Sequence, residues 1–167
     1  MIVQPLETPI GVIHLAVEAD QLVELQLPNH PAPTAEFGNH PVLTKAAAQL
    51  REYFAGKRIE FELPLAPRGT EFQQRVWKQL LAVGYGETCS YVDVARAIRA
   101  PMASRAVGAA NGKNPIAIII PCHRVIGANG SLTGYGGGMP TKRWLLDHER
   151  SRVQPRLLEG TLRAWTG

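Results

Sequence analysis

Two helix-start signals, Thr70-Glu71-Phe72-Gln73 and Ser90-Tyr91-Val92-Asp93, constrain the second half of this chain more than any other feature. Each places a hydroxyl where it can accept from the backbone amide three residues on. A carboxylate or amide at that position can return the bond. After the first signal, Phe72, Val76, Trp77, Leu80 and Leu81 form an apolar stripe that ends at Gly84 and Gly86, which predicts a helix. After the second, a short helix is expected through about Ile98, where Pro101 stops it. Pro101 in turn opens another helix, from Met102 to Asn111, with Gly112 as its stop. Two short helices across a tight turn read as helix-turn-helix.

The first half has a different grammar. Gly11 to Val17 and Leu22 to Leu27 are short β-prone runs around Glu18-Ala19-Asp20-Gln21, and Val23, Leu25 and Leu27 alternate with polar neighbours as in a hairpin. A connector with several prolines over 28–41 leads to helical spacing from Val42 to Phe54, which Gly56 suits as an end. Ile59, Phe61 and Leu63 alternate as a further strand, and Pro64 to Gly69 resembles a linker. Charge divides at the same place. Residues 1–69 carry 5 basic and 8 acidic side chains, against 13 and 6 in residues 70–167. The second half is thus the candidate for a polyanionic partner. No segment approaches the ~20 apolar residues of a membrane span, and the first residues lack the basic and apolar regions of an export signal, so a cytoplasmic protein without a membrane partner is expected.

One segment carries chemistry. The apolar run Ile116 to Ile120 reads as a buried strand that delivers Pro121-Cys122-His123-Arg124-Val125 to a turn, ahead of the glycine-rich Gly134-Tyr135-Gly136-Gly137-Gly138. A buried cysteine is often only packing, but one placed where the chain turns, beside an imidazole, has the layout of a nucleophile. The other cysteine, Cys89, lies far off in sequence beside a Gly-Tyr-Gly turn and does not suggest a disulfide scaffold. The five histidines form no metal-ligand spacing, and no cofactor motif is present. In the helix expected over 102–111, Ala103, Ser104, Ala106, Gly108, Ala109 and Ala110 are small on every face, around the long charged Arg105. Such a helix packs tightly on its neighbours, or lets its backbone approach a nucleic-acid groove while Arg105 reaches into the duplex. With few readers of base edges, sequence preference would be weak.

Taken with Arg105-Ala106-Val107-Gly108, Asn114-Pro115, Gly134-Tyr135-x-Gly137-Gly138 and Lys142-x-Trp144-Leu145-Leu146-x-x-Glu149, the Pro121 to Val125 segment resembles the O6-alkylguanine-DNA alkyltransferases. The dense match covers roughly residues 70–150. The resemblance implies a small ribonuclease-H-like α/β domain, an antiparallel sheet plus helix, over residues 1–69 with the linker. A mostly α winged-helix domain that binds DNA and accepts the alkyl group follows over 70–152, then a tail over 153–167. It implies single-use repair: the alkyl group on guanine O6, or on thymine O4, passes to Cys122 as a thioether that nothing in the chain can hydrolyse. Cys122, water, His123 and Glu149 would form a proton relay, with Glu149 in the last turn of a helix, and Asn114 would build the active-site turn. Val125, Tyr135 and Gly136 would line the base pocket, with Lys142 ordering it and Tyr135 donating towards guanine N3. Double-stranded DNA carrying O6-alkylguanine would be the partner of a monomer. Its damaged base would be flipped out, with Arg105 filling the gap, Tyr91 turning the 3′ phosphate, and Ala103, Ser104 and Ala106 beside them. The chain departs from some members at Gly136, where they carry serine, while Thr133 and Ala117 bear on pocket width. Zinc-site cysteines are absent from the N-terminal half, so no metal is expected.

Thiol acidity alone would contribute little. Lowering a thiol from ~8.5 to ~7 raises the thiolate fraction about 15-fold but removes roughly 4- to 5-fold in nucleophilicity. Orientation, with effective molarities of order 10⁵ M, should dominate. Two other classes remain open: a lesion-binding relative without catalysis, which would replace the cysteine, and a cysteine hydrolase, which would turn over.

Overall fold

In a computed structural model that describes residues 1–132, 135 and 138–156, with side chains to residue 152, the alternating apolar residues of the first half form one side of a four-stranded sheet. Strands β1 (Ile2–Thr8), β2 (Gly11–Glu18), β3 (Gln21–Gln26) and β4 (Glu36–Phe37) lie in the order β3-β2-β1-β4. The hairpin between β2 and β3 turns on Ala19 and Asp20, both with positive φ, the geometry that matches the twist of the flanking strands. Against the sheet packs α1 (Pro41–Phe54), capped by the His40 imidazole and closed at Gly56, where φ is 75°. Leu43, Ala46, Ala47, Leu50 and Tyr53 form its buried face.

Three features depart from the expected pattern. A further strand, β1, precedes the hairpin, and β4 pairs with it in parallel, so the sheet is not wholly antiparallel. Residues 59–63 form no strand. The backbone of Glu62 is held at both ends by the Gln49 side chain, Glu62 N donating to Oε1 (2.9 Å) and Nε2 donating to Glu62 O (3.2 Å), and ladder pairing is confined to the Leu22–Leu65 bridge beyond Pro64. The run 116–120 is a chain of turns rather than a strand. Ile116 bridges Leu25, and Ile118 then takes the left-handed conformation (φ 71°), which ends any extended pairing.

In the second half both capping boxes are formed, Thr70 with Gln73 and Ser90 with Asp93. They open α2 (Glu71–Leu80) and α3 (Tyr91–Ala97). Helix α4 (Ser104–Gly112) starts two residues later than expected, because residues 100–103 close a turn through Ala103 N to Ala100 O. The indole of Trp77 on α2 donates to Ala110 O on α4 (2.8 Å). Short strands β5 (Cys89–Ser90) and β6 (Val125–Ile126) pair in parallel and bring the two ends of this half together. Helix α5 (Met139–Arg156) returns across the molecule, so Glu149 lies in mid-helix, not in a last turn. One apolar core runs through both halves, and Leu25 N of β3 donates to Pro115 O (2.8 Å), so the sheet edge itself supports the segment leading to Cys122. No described helix is long and apolar enough to cross a membrane.

Candidate active site

Cys122 begins a 3-10 turn, Cys122–Arg124, and is buried at 4% exposure. The turn exists because Asn114 clamps the segment before it: Asn114 Nδ2 donates to Ile120 O (2.8 Å) while its Oδ1 accepts from Ile116 N (3.0 Å). Asn111, at the C-terminal end of α4, donates to Cys122 O (3.2 Å) and ties that helix to the cysteine backbone. Burial pushes the thiol above its ordinary value, while Asn114 and the Lys142 ammonium act in the opposite direction. The resting thiol is therefore protonated, and reaction needs a base.

His123 follows the thiol and is wholly buried. Its Nε2 lies 2.7 Å from Glu149 Oε2. Burial outweighs the pull of Glu149 and lowers the imidazole pKa, so the ring is held neutral. Its Nδ1 makes no hydrogen bond among the described residues. Burial would raise the Glu149 carboxyl, but His123 and Arg124 overcome it and hold the group well below the usual carboxylate range. Arg124 is bidentate, Nε to Oε1 (2.9 Å) and Nη2 to Oε2 (3.1 Å), and its Nη1 donates to Val83 O (2.7 Å). Gly86 N (3.2 Å) and the Tyr53 hydroxyl (2.7 Å) complete the set around the carboxylate. A base whose other nitrogen is held by a fixed carboxylate is the arrangement that lets an imidazole accept a proton reversibly.

The cysteine faces a cavity of about 260 Å³ lined by Asn114, Pro115, Ala117, Tyr135 and, from the first half, Leu25 to Leu27 and His30. The Tyr135 hydroxyl is buried without a hydrogen bond of good geometry among the described residues, and its pKa is raised by burial and then by the neighbouring Cys122, so it is a protonated donor. Lys142 is buried, with Nζ donating to Val125 O and lying 5.8 Å from the Tyr135 ring centre. The structure thus brings Cys122, His123, Glu149, Asn114, Val125, Tyr135 and Lys142 together. Gly136 and Thr133 lie outside the described residues.

The remaining expected residues form a separate group. Tyr91 begins α3 with its ring against Gly108 of α4, Arg105 and Ala106 are exposed on α4, and Ala103 and Ser104 are half-buried at its start. Asn111 links this helix to Cys122. Sequence reasoning passed over Arg124, Tyr53, Gly86 and Asn111. Arg124 sat inside the quoted motif, whereas Tyr53 is 96 positions from its partner and carried no local signal. Among the described residues no group of His, Cys, Asp and Glu could hold a metal ion.

Known proteins match both halves. Residues 1–67 match the ribonuclease-like domain of 6-O-methylguanine DNA methyltransferase, and residues 71–151 match the DNA-binding domain of the same family. A methylated-DNA–protein-cysteine methyltransferase of Mycobacterium tuberculosis is 52% identical over 151 residues, 89% of this chain and 92% of that protein. The constitutive enzyme of Bacillus subtilis is 45% identical over 152 residues, covering 86% and 92%. The crystal structure of Mycobacterium tuberculosis OGT in complex with DNA superposes with a TM-score of 0.85 at 51% identity, covering 91% of this chain and 94% of that one. By both sequence and fold, this chain belongs to the methylated-DNA–protein-cysteine methyltransferase family.

Proposed function

We propose that this chain, a DNA-repair methyltransferase by family, removes the alkyl group from O6-alkylguanine in double-stranded DNA by transferring it irreversibly to its own Cys122. The observation that carries this reading is a buried thiol followed by a neutral imidazole, one nitrogen of which is fixed by a buried carboxylate while the other has no hydrogen-bond partner among the described residues. In the proposed step the thiol proton passes through a water to His123 Nδ1. The sulfur attacks the alkyl carbon in line, the carbon–O6 bond breaks, and its electron pair leaves with the guanine. Tyr135 donates a proton to the departing base at N3 and is restored by the proton that the thiol released. The product thioether has no hydrolytic partner, so each chain acts once. Asn114 holds the turn, and Lys142 orders the pocket wall at Val125.

The alkylated base must leave the stack to reach a buried thiol, at a cost of a few kcal/mol that a poorly paired lesion reduces. Arg105 fills the gap, Tyr91 turns the 3′ phosphate, and Ala103, Ser104 and Ala106 let α4 lie close to the duplex. We take the N-terminal unit, residues 1–69, as ribonuclease-H-like and the unit over 70–152 as a winged helix, in a monomeric cytoplasmic protein. A lesion-binding relative without catalysis is not favoured, since Cys122 is in place.

Fluorescence of a 2-aminopurine placed beside O6-methylguanine tests the reading. It should brighten when the wild type binds and far less with Arg105→Ala, and Arg105→Ala should slow transfer from duplex more than from free O6-benzylguanine. Equal losses on both substrates would count against base flipping. Substituting O4-methylthymine in the duplex determines whether that base is a second substrate.

A further inference from the structure

We propose that Tyr53 is a positioning residue for alkyl transfer: from the N-terminal half, its hydroxyl holds the carboxylate that orients His123, so both halves share one proton-accepting network. This rests on the His123–Glu149 relay proposed above. Tyr53 lies at the end of α1 and is fully buried. Its hydroxyl donates to Glu149 Oε2 at 2.7 Å, the same oxygen that His123 Nε2 approaches at 2.7 Å. With Arg124 Nη2 at 3.1 Å, three donors share this oxygen and draw on the same negative charge. The tyrosine therefore limits how strongly Glu149 can stabilise an imidazolium, keeping His123 neutral and ready to take a proton.

The hydroxyl is not free to move away. The Tyr53 ring is enclosed by His148 (5.3 Å between centres), Phe61 (5.6 Å) and Tyr85 (6.1 Å), and its backbone oxygen lies 2.8 Å from His148 Nε2. Helices α1 and α5 are thus joined twice through one residue. A phenylalanine would fill the same space. The hydroxyl adds only the bond to Glu149, and burial together with that carboxylate raises its pKa well above the ordinary value, so it remains a donor. The other titratable and charged groups around this network are Arg124 from the 3-10 turn, Lys142, His148 and Arg152 from α5, Tyr85 from the loop after α2, and Cys122 and Tyr135 from the cavity.

The test is the single-turnover rate of transfer from duplex O6-methylguanine between pH 5 and 9, in the wild type, Tyr53→Phe, His148→Gln and Glu149→Gln. Removing the hydroxyl leaves Glu149 Oε2 more basic and raises the His123 pKa. The acid limb of Tyr53→Phe should move to higher pH by about half a unit, with a rate on that limb lower by up to about threefold and DNA affinity unchanged. His148→Gln should leave the limb in place, which assigns it to His123; a limb that moves with His148→Gln overturns the assignment. A Tyr53→Phe profile that superimposes on the wild type, or one slowed equally at every pH, overturns the proposal. If Glu149→Gln is also unaffected, the relay has failed; if Glu149→Gln is slow, only the role of Tyr53 has. Should Tyr53→Phe fold poorly, 3-fluorotyrosine at position 53 keeps the ring and strengthens the donor. The limb must then move to lower pH, and an unmoved limb again overturns the proposal.

Discussion

Replacing Glu149 by glutamine should destabilise the protein out of proportion to the one atom changed. The carboxylate is fully buried and accepts from Tyr53, Gly86, His123 and both Nε and Nη2 of Arg124. Tyr53 and His123 can each reverse their role and accept from an amide placed at Oε2, but Arg124 cannot. Arg124 is only 7% exposed, and its guanidinium would keep its charge with no counter-charge at position 149 and one donor facing another. Breaking a buried pair in this way costs about 3–5 kcal/mol. At 2–4 °C per kcal/mol for a chain of this size, the melting temperature should fall by roughly 6–20 °C. The folded pKa of Glu149 is depressed, so its contribution is fully present above the unfolded value of ~4.3 and is lost as the pH falls towards the folded one. Urea unfolding of wild type and Glu149→Gln at pH 7.5 and at successively lower pH would therefore give a gap that is constant to about pH 5 and narrows below about pH 4. A loss under about 1 kcal/mol at pH 7.5, or a gap that widens in acid, would refute the reasoning.

Other consequences can be checked independently. Asn114→Ala removes both clamps on the turn before Cys122 and one influence that favours the thiolate, so alkylation of Cys122 by iodoacetamide should shift to higher pH and transfer should fall by at least about tenfold. Trp77→Phe loses the bond to Ala110 O and should cost about 1–2 kcal/mol in urea unfolding while leaving reaction with free O6-benzylguanine unchanged. Because burial keeps His123 neutral, its unfolded form takes up a proton below ~6.5 that the folded form refuses. His123 should therefore add up to ~1.4 kcal/mol per pH unit to the fall in stability as pH drops below that value, measurable as a slope that His123→Phe lacks.

What was legible in the sequence was local. The capping boxes at Thr70 and Ser90, the β2–β3 hairpin and Gly56 all express rules that act within a few residues, and each appears in the structure. Where a long-range partner decided the outcome, the pattern misled. Residues 59–63 alternate like a strand but are held by the Gln49 side chain, and 116–120 are apolar like a strand but turn at Ile118 under the Asn114 clamp. The site divides in the same way. Cys122, His123 and Glu149 lie on the quoted motifs, whereas Tyr53 meets Glu149 only because α1 packs against α5, and Gly86 only because the loop after α2 does.

The central claim, a buried thiol that accepts one alkyl group and keeps it, is tested most directly by incubating the protein with excess duplex bearing isotopically labelled O6-methylguanine and mapping the label by peptide mass spectrometry. The account predicts one label per chain, on the peptide containing Cys122, with none on Cys89 and none after Cys122→Ala, although that variant still binds the duplex. Label on another residue, or demethylation of more DNA than there is protein, would contradict it.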